Sequence, residues 1–327
     1  MKILITGATG FVGTWLTKKL LDRGHDIRVL STRGTAEFPF NSASIEIAHG
    51  NVCDYESMTR ACKDIHSVFH LAGIVGYSRL MRPQMEQTNV VGTKNVVEAC
   101  LTSRCKRLVH ISSVTAIGAS FDKNIILNED SEFNLHHLNL GYFETKYSSE
   151  QLVKSAVREG KIDAVILNPA TIYGPGDAKK GSRSIQLKVA RGKFPFYTSG
   201  GVNVIHIDDV VDAIYRAWEV GRSGERYILA GENILIQKLF SLIAEQAGAR
   251  APYIYLPNFA VLSLGKIGDF LESIGQKGPI NSENAWTSIL YHWFDNSKAK
   301  KELGLNPRSA HDAIADSIRW IKENGLI

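Results

Sequence analysis

The feature that most limits what this chain can become is its start. A short apolar run, Ile3-Leu4-Ile5, leads into Thr6-Gly7-Ala8-Thr9-Gly10-Phe11-Val12-Gly13 and then into an amphipathic stretch closed by Gly24. The glycines are spaced G-x-x-G-x-x-G. Gly7 permits a tight turn, Gly10 lets backbone approach a bound group, and Gly13 lets the following helix pack closely on the sheet. Free N–H groups at the helix N-terminus then face an anion. A glycine pattern alone is weak. Here it lies between a predicted strand, Lys2–Thr6, and a predicted helix, Phe11–Arg23, which is the context that points to a dinucleotide pyrophosphate. Thr6, Gly7, Thr9, Gly10, Phe11, Val12 and Gly13 are therefore expected at the cofactor.

The first half continues the same alternation. Strands are predicted at Asp26–Leu30, Ile45–His49, Ser67–Ala72, Arg107–Ser112 and Ala164–Asn168. Helices are predicted near Tyr55–Cys62, Met85–Ser103 and Tyr142–Glu159. Strands that are apolar almost throughout and alternate with helices imply a parallel sheet covered on both faces. Right-handed crossovers make it a doubly wound α/β (Rossmann) fold. After Asn168-Pro169 the rhythm breaks at the turn cluster Gly174-Pro175-Gly176-Asp177. Gly181–Lys193 reads as helical and Val204–Ile207 as a strand, and Asp208-Asp209 cap a helix running to about Val220. Further helices are expected near Ile236–Ala247, Ala260–Ile274, Ser297–Leu303 and Ala310–Asn324. The expected division is a dinucleotide-binding domain of residues 1–174 plus 199–224. A smaller, mostly C-terminal α/β substrate domain would take 175–198 plus 225–327.

Bulk properties exclude several classes. With 44% hydrophobic and 22% charged residues, the 327-residue chain has an ordinary globular balance. No run approaches the roughly 18 apolar residues of a bilayer span, and no apolar leader precedes the first strand, so the expected location is cytoplasmic. The net charge of +5 is scattered rather than blocked, which suits an anionic ligand better than a nucleic acid. Cys53, Cys62, Cys100 and Cys105 form no CxxC pair and no zinc-type spacing, so reduced structural thiols and no metal are expected.

The end of the second strand bears on which dinucleotide is bound. An acid there would accept hydrogen bonds from the ribose 2′-OH and favour NAD. Here Ser31 takes that place, followed by Thr32 and Arg33. Ser31 does not repel a 2′-phosphate and Arg33 can pair with one, so NADP is expected over NAD; a solvated Arg33 is the plain alternative. Asn51-Val52, after the third strand, can border the adenine, whereas Asp54 reads equally as a helix cap.

Tyr142-Phe143-Glu144-Thr145-Lys146 places a phenol and an ammonium at i and i+4 of one helical face. A free phenol titrates near 10, too high for proton transfer at neutral pH, and a nearby cation would lower it. Ile111-Ser112-Ser113 closes the preceding strand, so a hydroxyl emerges at the C-terminal sheet edge where open α/β sheets bind ligands. Ser113 can then share a carbonyl oxygen with Tyr142, with Ser112 as the competing choice.

With these residues in view, the chain resembles the short-chain dehydrogenase/reductase superfamily in its extended form. The resemblance is carried by Thr6–Gly13, His70-Leu71-Ala72-Gly73, Asn89-Val90-Val91-Gly92-Thr93, Ser112-Ser113, Tyr142–Lys146, Asn168-Pro169 and His206-Ile207-Asp208-Asp209-Val210, in family order over roughly the first two-thirds. It implies Ser113, Tyr142 and Lys146 as the catalytic set, with Lys146 also on the nicotinamide ribose. It implies Leu71, Ala72, Gly73, Asn89, Ile111, Pro169 and Ile172 along the cofactor, Asn89 fixing the adjacent loop or else capping a helix. Gly73 departs from the Ala of many relatives. His70 and His206 read better as satisfied histidines at strand edges than as bases. A homodimer through the helices Met85–Ser103 and Tyr142–Glu159 is expected by resemblance.

Within that superfamily the chain leans toward carbonyl reductases of the dihydroflavonol-reductase and hydroxysteroid-dehydrogenase kind. Asn168-Pro169 stands where nucleotide-sugar enzymes often have Arg, and Gly200–His206 lacks the Arg that commonly precedes that strand. The tail Tyr291–Ala299 with Glu302-Leu303-Gly304 looks like dihydroflavonol-reductase-like bacterial proteins. The expected function is NADP-dependent reduction of a carbonyl on a small, partly apolar molecule, or oxidation of the matching alcohol. The alternatives are a nucleotide-sugar epimerase or dehydratase with tightly held NAD, and a non-catalytic dinucleotide sensor. The substrate pocket is expected from Ile74–Met85, Asp177–Thr198 and Ala251–Trp293, with Tyr77, Arg79, Tyr197, Phe259 and Trp286 as lining.

Overall fold

The computed structural model describes residues 1–177, 184–276, 278 and 280–327. Residues 181–183 of the helix expected at Gly181–Lys193 lie outside the described residues. Twelve strands are described: β1 Lys2–Thr6, β2 Asp26–Ser31, β3 Glu46–His49, β4 Ser67–His70, β5 Arg107–Ile111, β6 Ala164–Pro169, β7 Thr171–Tyr173, β8 Phe196–Tyr197, β9 Gly201–His206, β10 Arg226–Leu229, β11 Glu232–Leu235 and β12 Ile254–Tyr255. The α-helices are α1 Phe11–Asp22, α2 Tyr55–Cys62, α3 Arg82–Met85, α4 Gly92–Thr102, α5 Gly141–Arg158, α6 Ser184–Ala190, α7 Ile207–Val220, α8 Ile236–Ala247, α9 Asn258–Ser273, α10 Ser282–Ile289, α11 Ser297–Leu303 and α12 Ala310–Glu323.

Seven strands form one parallel sheet in the order β3-β2-β1-β4-β5-β6-β10. Successive side chains point to opposite faces, and both faces are covered, so the central strands are largely apolar, whereas the edge strand β3 is mostly exposed. Ile3 and Ile5 of β1, with Val109, Val165 and Leu167, join the core under α1 and α7. Leu4, Leu108, Ala164 and Ile166 join the opposite core under α2, α4 and α5. The doubly wound fold expected from the sequence is thus the fold observed. The order reverses between β1 and β4, and the glycine loop opens at that switch point.

A second sheet, β11-β9-β7, and a short parallel pair, β12-β8, lie apart from the first. With α6, α8 and α12 the three-stranded sheet builds its own core around Val204, Ile234, Leu242 and Ile314. The strands do not follow the expected division. β7 and β9, placed with the dinucleotide domain, pair in the smaller sheet, whereas β10, placed with the substrate domain, is the edge strand of the larger one. β10 is apolar and buried on its pleat, and its register with β6 (Leu229 opposite Pro169) draws it into the large sheet.

Two local expectations are corrected. The helix predicted over Met85–Ser103 is not one regular helix: a π-helical turn, Glu86–Val91, precedes α4. Such turns admit an extra residue and re-aim side chains, here Asn89. The cap of α7 is His206, whose ring Nδ1 accepts from the Asp208 amide at 3.1 Å, rather than Asp208 or Asp209. Asp209 instead pairs with Arg308 at 2.8 Å.

The closest approach in the glycine loop is between Gly13 and Gly7. A Cβ at Gly13 would lie 2.2 Å from the Gly7 carbonyl oxygen and 2.8 Å from Ala8 Cα, both backbone. Gly13→Ala is therefore expected to lift α1 from the loop and to cost about 1–3 kcal/mol, the usual penalty of overpacking. Urea unfolding checks this, and a wild-type midpoint would show that the loop yields freely.

Candidate active site

A cavity of about 960 Å³ opens along the C-terminal edge of the large sheet and runs between the two sheets. At one end the glycine loop forms its floor. Gly7 has a φ of 72°, and a Cβ there would meet the Ala72 amide nitrogen at 2.7 Å, so only glycine lets the first turn pass under β4. Gly10 caps α1 without a side chain, and no acid occupies the first turn. The first amides of the helix are therefore left for an anionic group, as a dinucleotide pyrophosphate requires. Gly7, Thr9, Gly10, Phe11, Val12, Gly13, Leu71, Gly73, Ile111, Tyr142, Lys146, Pro169 and Ile172 all line the cavity.

Several residues expected at the cofactor brace the site from behind instead. Thr6 is fully buried; its hydroxyl meets His70 Nδ1 at 2.8 Å and accepts from the Ala72 amide at 3.2 Å. His70 reaches on to Thr93 at 3.0 Å, the satisfied histidine anticipated. Asn89 accepts from the Ile74 amide at 2.8 Å, donates to the Ile74 carbonyl at 3.0 Å and donates to the Thr145 hydroxyl at 3.1 Å. Its amide thereby ties the loop after β4 to α5. Val52 is buried against Gly92, and the Asn51 side chain accepts from the Cys53 amide, so neither lines the cavity. Asp54 caps α2. Ser31 and Arg33 lie beyond the cavity at the end of β2. Ser31 Oγ accepts from the Arg33 amide at 3.3 Å, and Arg33 is exposed with no charged partner among the described residues.

The two serines after β5 part company. Ser112 Oγ donates to Glu150 at 2.8 Å, and Glu150 is fully buried among Asn168, Lys154 and Arg226. Both serines border the cavity, but the Ser112 hydroxyl is taken by Glu150, whereas the Ser113 hydroxyl lies beside that of Tyr142 and favours its ionised form. Asn168 belongs to the Glu150 cluster and also donates to the Ser113 carbonyl at 2.9 Å, so it stands behind the wall rather than on it. Its contrast with an Arg in nucleotide-sugar enzymes therefore says nothing direct about the substrate.

Tyr142 and Lys146 do not form a direct pair. Burial raises the Tyr142 phenol above its usual range, the neighbouring Tyr77 adds to this, and the Ser113 hydrogen bond opposes it. The Lys146 ammonium donates to the Ile111 carbonyl at 2.8 Å and is lowered to about 8 by burial, against the pull of Glu150. With burial dominant and no cation in direct contact, the phenol stays protonated.

The rest of the lining was only partly foreseen. Tyr77 and Tyr197 line the cavity, whereas Phe259 is exposed, Arg79 lies 3.8 Å from Asp269 on the surface, and Trp286 packs edge-on against Phe121. The far wall is apolar: Phe194, Phe196, Leu239, Phe240, Ile243, Leu256, Val261 and Leu264. His292, which the sequence did not single out, also lines it; burial lowers it to about 4, and its Nε2 is 3.2 Å from the Thr287 carbonyl. Only one side of α9 reaches this wall; its other side is exposed at Phe259, Ile267 and Phe270.

Residues 3–230 match the model of the NAD dependent epimerase/dehydratase family. The chain belongs to that family. Among curated relatives, a provisionally named dihydroflavonol 4-reductase of Synechocystis sp. is 30% identical over 99% of this chain and 95% of its own length. Sterol demethylase protein B of Methylococcus capsulatus is 29% identical over the whole of both chains. The crystal structure of gox2253 superposes with a TM-score of 0.84 at 32% identity, covering 99% of each chain. This chain is accordingly an NAD(P)-dependent oxidoreductase of the extended short-chain dehydrogenase/reductase type. No helix among its described residues is long and apolar enough to cross a membrane.

The lowered Lys146 gives this family member a pH signature. Its folded value of about 8 lies below the ordinary lysine value near 10.4. Between the two the unfolded chain binds the extra proton, so this residue makes stability rise with pH across that window. Compared with Lys146→Met, the ligand-free wild type should gain stability from about pH 8 to 10. A flat difference in urea titrations would mean that Lys146 titrates normally.

Proposed function

We propose that the protein is an NADPH-dependent reductase of a ketone or aldehyde carried on a largely apolar small molecule. The observation that carries this reading is the cavity's division: a polar end at Ser113, Tyr142 and Lys146, and a far wall of aromatic and aliphatic side chains. Such a wall removes apolar surface from water at roughly 25 cal/mol per Å², and among the described residues it provides no charged side chain aimed at a nucleoside diphosphate. Two full-length relatives carry names that refer to apolar ring systems, a flavonol and a sterol.

The bound nicotinamide would supply the hydride. The chain's own residues do the rest. Ser113 and Tyr142 converge on one point of the cavity, where a carbonyl oxygen can accept from both hydroxyls. Tyr142, held protonated by burial, gives its proton to that oxygen as charge develops. Lys146, anchored to the Ile111 carbonyl, places its ammonium on the same side of α5 and, once a ribose shares it, favours the phenolate left behind. Ser113 also caps a short 3₁₀ turn by accepting from the Thr115 amide at 3.2 Å, which fixes its rotamer. Tyr142→Phe should lower kcat by about 10²–10⁴-fold with NADPH affinity retained. Turnover equal to wild type would remove Tyr142 from this role.

The choice of NADPH rests on Arg33. An exposed guanidinium with no charged partner among the described residues, following an uncharged Ser31, offers a 2′-phosphate a charge-assisted contact and meets NADH with none. Arg33→Ala should raise the KM for NADPH by roughly 10- to 100-fold, the worth of one or two hydrogen bonds to a charged group, and leave that for NADH unchanged. A wild-type preference for NADH, or NAD copurifying with affinity for a UDP-sugar, would favour the epimerase/dehydratase chemistry. The reading includes a homodimer through the outer surfaces of α4 and α5.

A further inference from the structure

Three of the four cysteines meet at one place far from the cavity. Cys62 is the last residue of α2; Cys100 lies in the last turn of α4 and Cys105 just before β5. Their sulfurs all lie within 4.8 Å of one another. Spacing hides this cluster, because Cys62 ends α2 while Cys100 and Cys105 flank the end of α4, with β4, α3 and most of α4 between them. The backbone holds two of them together. Helix α4 ends with Arg104 at a φ of 54°; the Arg104 amide donates to Leu101 O at 3.1 Å and the Cys105 amide to Cys100 O at 2.9 Å. This is a Schellman ending, in which the residues at Cys100 and Cys105 normally make an apolar contact. Here both are thiols, and Cys62 completes the triangle.

We propose that Cys62, Cys100 and Cys105 bind one zinc-type divalent cation, with water as the fourth ligand. Four observations support this assignment. Thiolates select soft cations, and three sulfurs plus a water satisfy a tetrahedral ion. At a Zn–S distance of about 2.3 Å the sulfurs would sit about 3.8 Å apart, so the triangle needs to close by at most about 1 Å. The C-terminal ends of α2 and α4 meet here, which favours a cation. Cys62 and Cys100 are buried and Cys105 is half-buried, leaving one side open for entry and for the water. Binding displaces the thiol protons to solvent. The Arg28 guanidinium, which donates to Ala61 O at 2.8 Å and Lys63 O at 2.7 Å, lies beside Cys62 and offsets the excess thiolate charge. The site lies at the opposite sheet edge from Ser113 and would clamp α2 and α4 to β5 without taking part in turnover.

The test uses the full chain, reduced and stripped with a chelator. Titration with Cd²⁺ should raise an ultraviolet thiolate-to-metal band that saturates at one equivalent and is displaced by Zn²⁺. Saturating Zn²⁺ should raise the Tm, as any ligand of the native state does. C105S, at a half-exposed position, should weaken Cd²⁺ binding by about 10–100-fold or more, the range seen when even a residue supporting a ligand is lost. C53S, whose thiol faces the Gln87 carbonyl instead, should bind as wild type does. The proposal is overturned if the reduced wild type shows no band, if C53S abolishes it, or if C105S leaves affinity unchanged. The wild-type titration decides the matter even if C105S fails to fold.

Discussion

Much of this structure hangs on one buried carboxylate. Glu150 is fully buried and meets Ser112, Asn168, Lys154 and Arg226. Burial alone would keep it neutral, but Lys154 and Arg226 outweigh that and hold it below the usual carboxylate range. Its partners sit on α5, at the end of β5, on β6 and on β10. A single charge thereby fixes the helix that carries Tyr142 and Lys146 against the strand ends that carry Ser113 and Pro169. A buried ion with this many donors adds little net stability over an apolar cluster, yet losing one partner leaves a charge uncompensated. What the cluster supplies is position, and the catalytic chemistry depends on position.

Asn89 does comparable work on the other side of the cavity. Its amide joins the loop after β4 to Thr145, one turn from Tyr142. It can reach because the π-helical turn brings it inward at the point where a regular helix would aim it elsewhere. The glycine loop, the β4 loop and α5 are thus held by side chains that never touch the cavity.

The first half of the fold was legible because the central strands bury both faces and the first turn uses glycine for a steric reason. Gly7 and Gly13 announce close backbone approaches: a Cβ at either would fall 2.7 or 2.2 Å from neighbouring backbone. The second half was less so. β7, β8 and β12 have two or three residues each, too short for any periodicity, and β10 and β11 follow each other across only Ala230-Gly231 yet join different sheets, a choice that only tertiary packing makes. Within the site, Ser112 and Ser113 are adjacent and chemically alike; only the position of Glu150 separates them. Asn89 holds the loop after β4, as its motif implied, whereas Thr6 and Val52 stand behind the cavity wall, because motifs mark where residues gather and say less about which way each side chain turns. Phe259 and Trp286 were misplaced for the same reason: an aromatic residue on an amphipathic helix fits a cavity wall, a core or a surface equally well in one dimension.

The chain passes between the two sheets three times: from β6 to β7 at Ala170, from β9 to α7 at His206, and from β10 to β11 across Ala230-Gly231. At Gly231 the crossing is so tight that a Cβ would fall 2.1 Å from the Val204 carbonyl oxygen. A protein stitched in this way cannot acquire a new substrate unit by gene fusion or domain exchange, because no single cut separates the half that holds the cofactor from the half that holds the substrate. Relatives with different substrates must have diverged residue by residue along the cavity wall. Ancestry in such a lineage is therefore recorded in side chains at the seam, and a designer seeking a new activity would graft lining positions and leave the backbone whole.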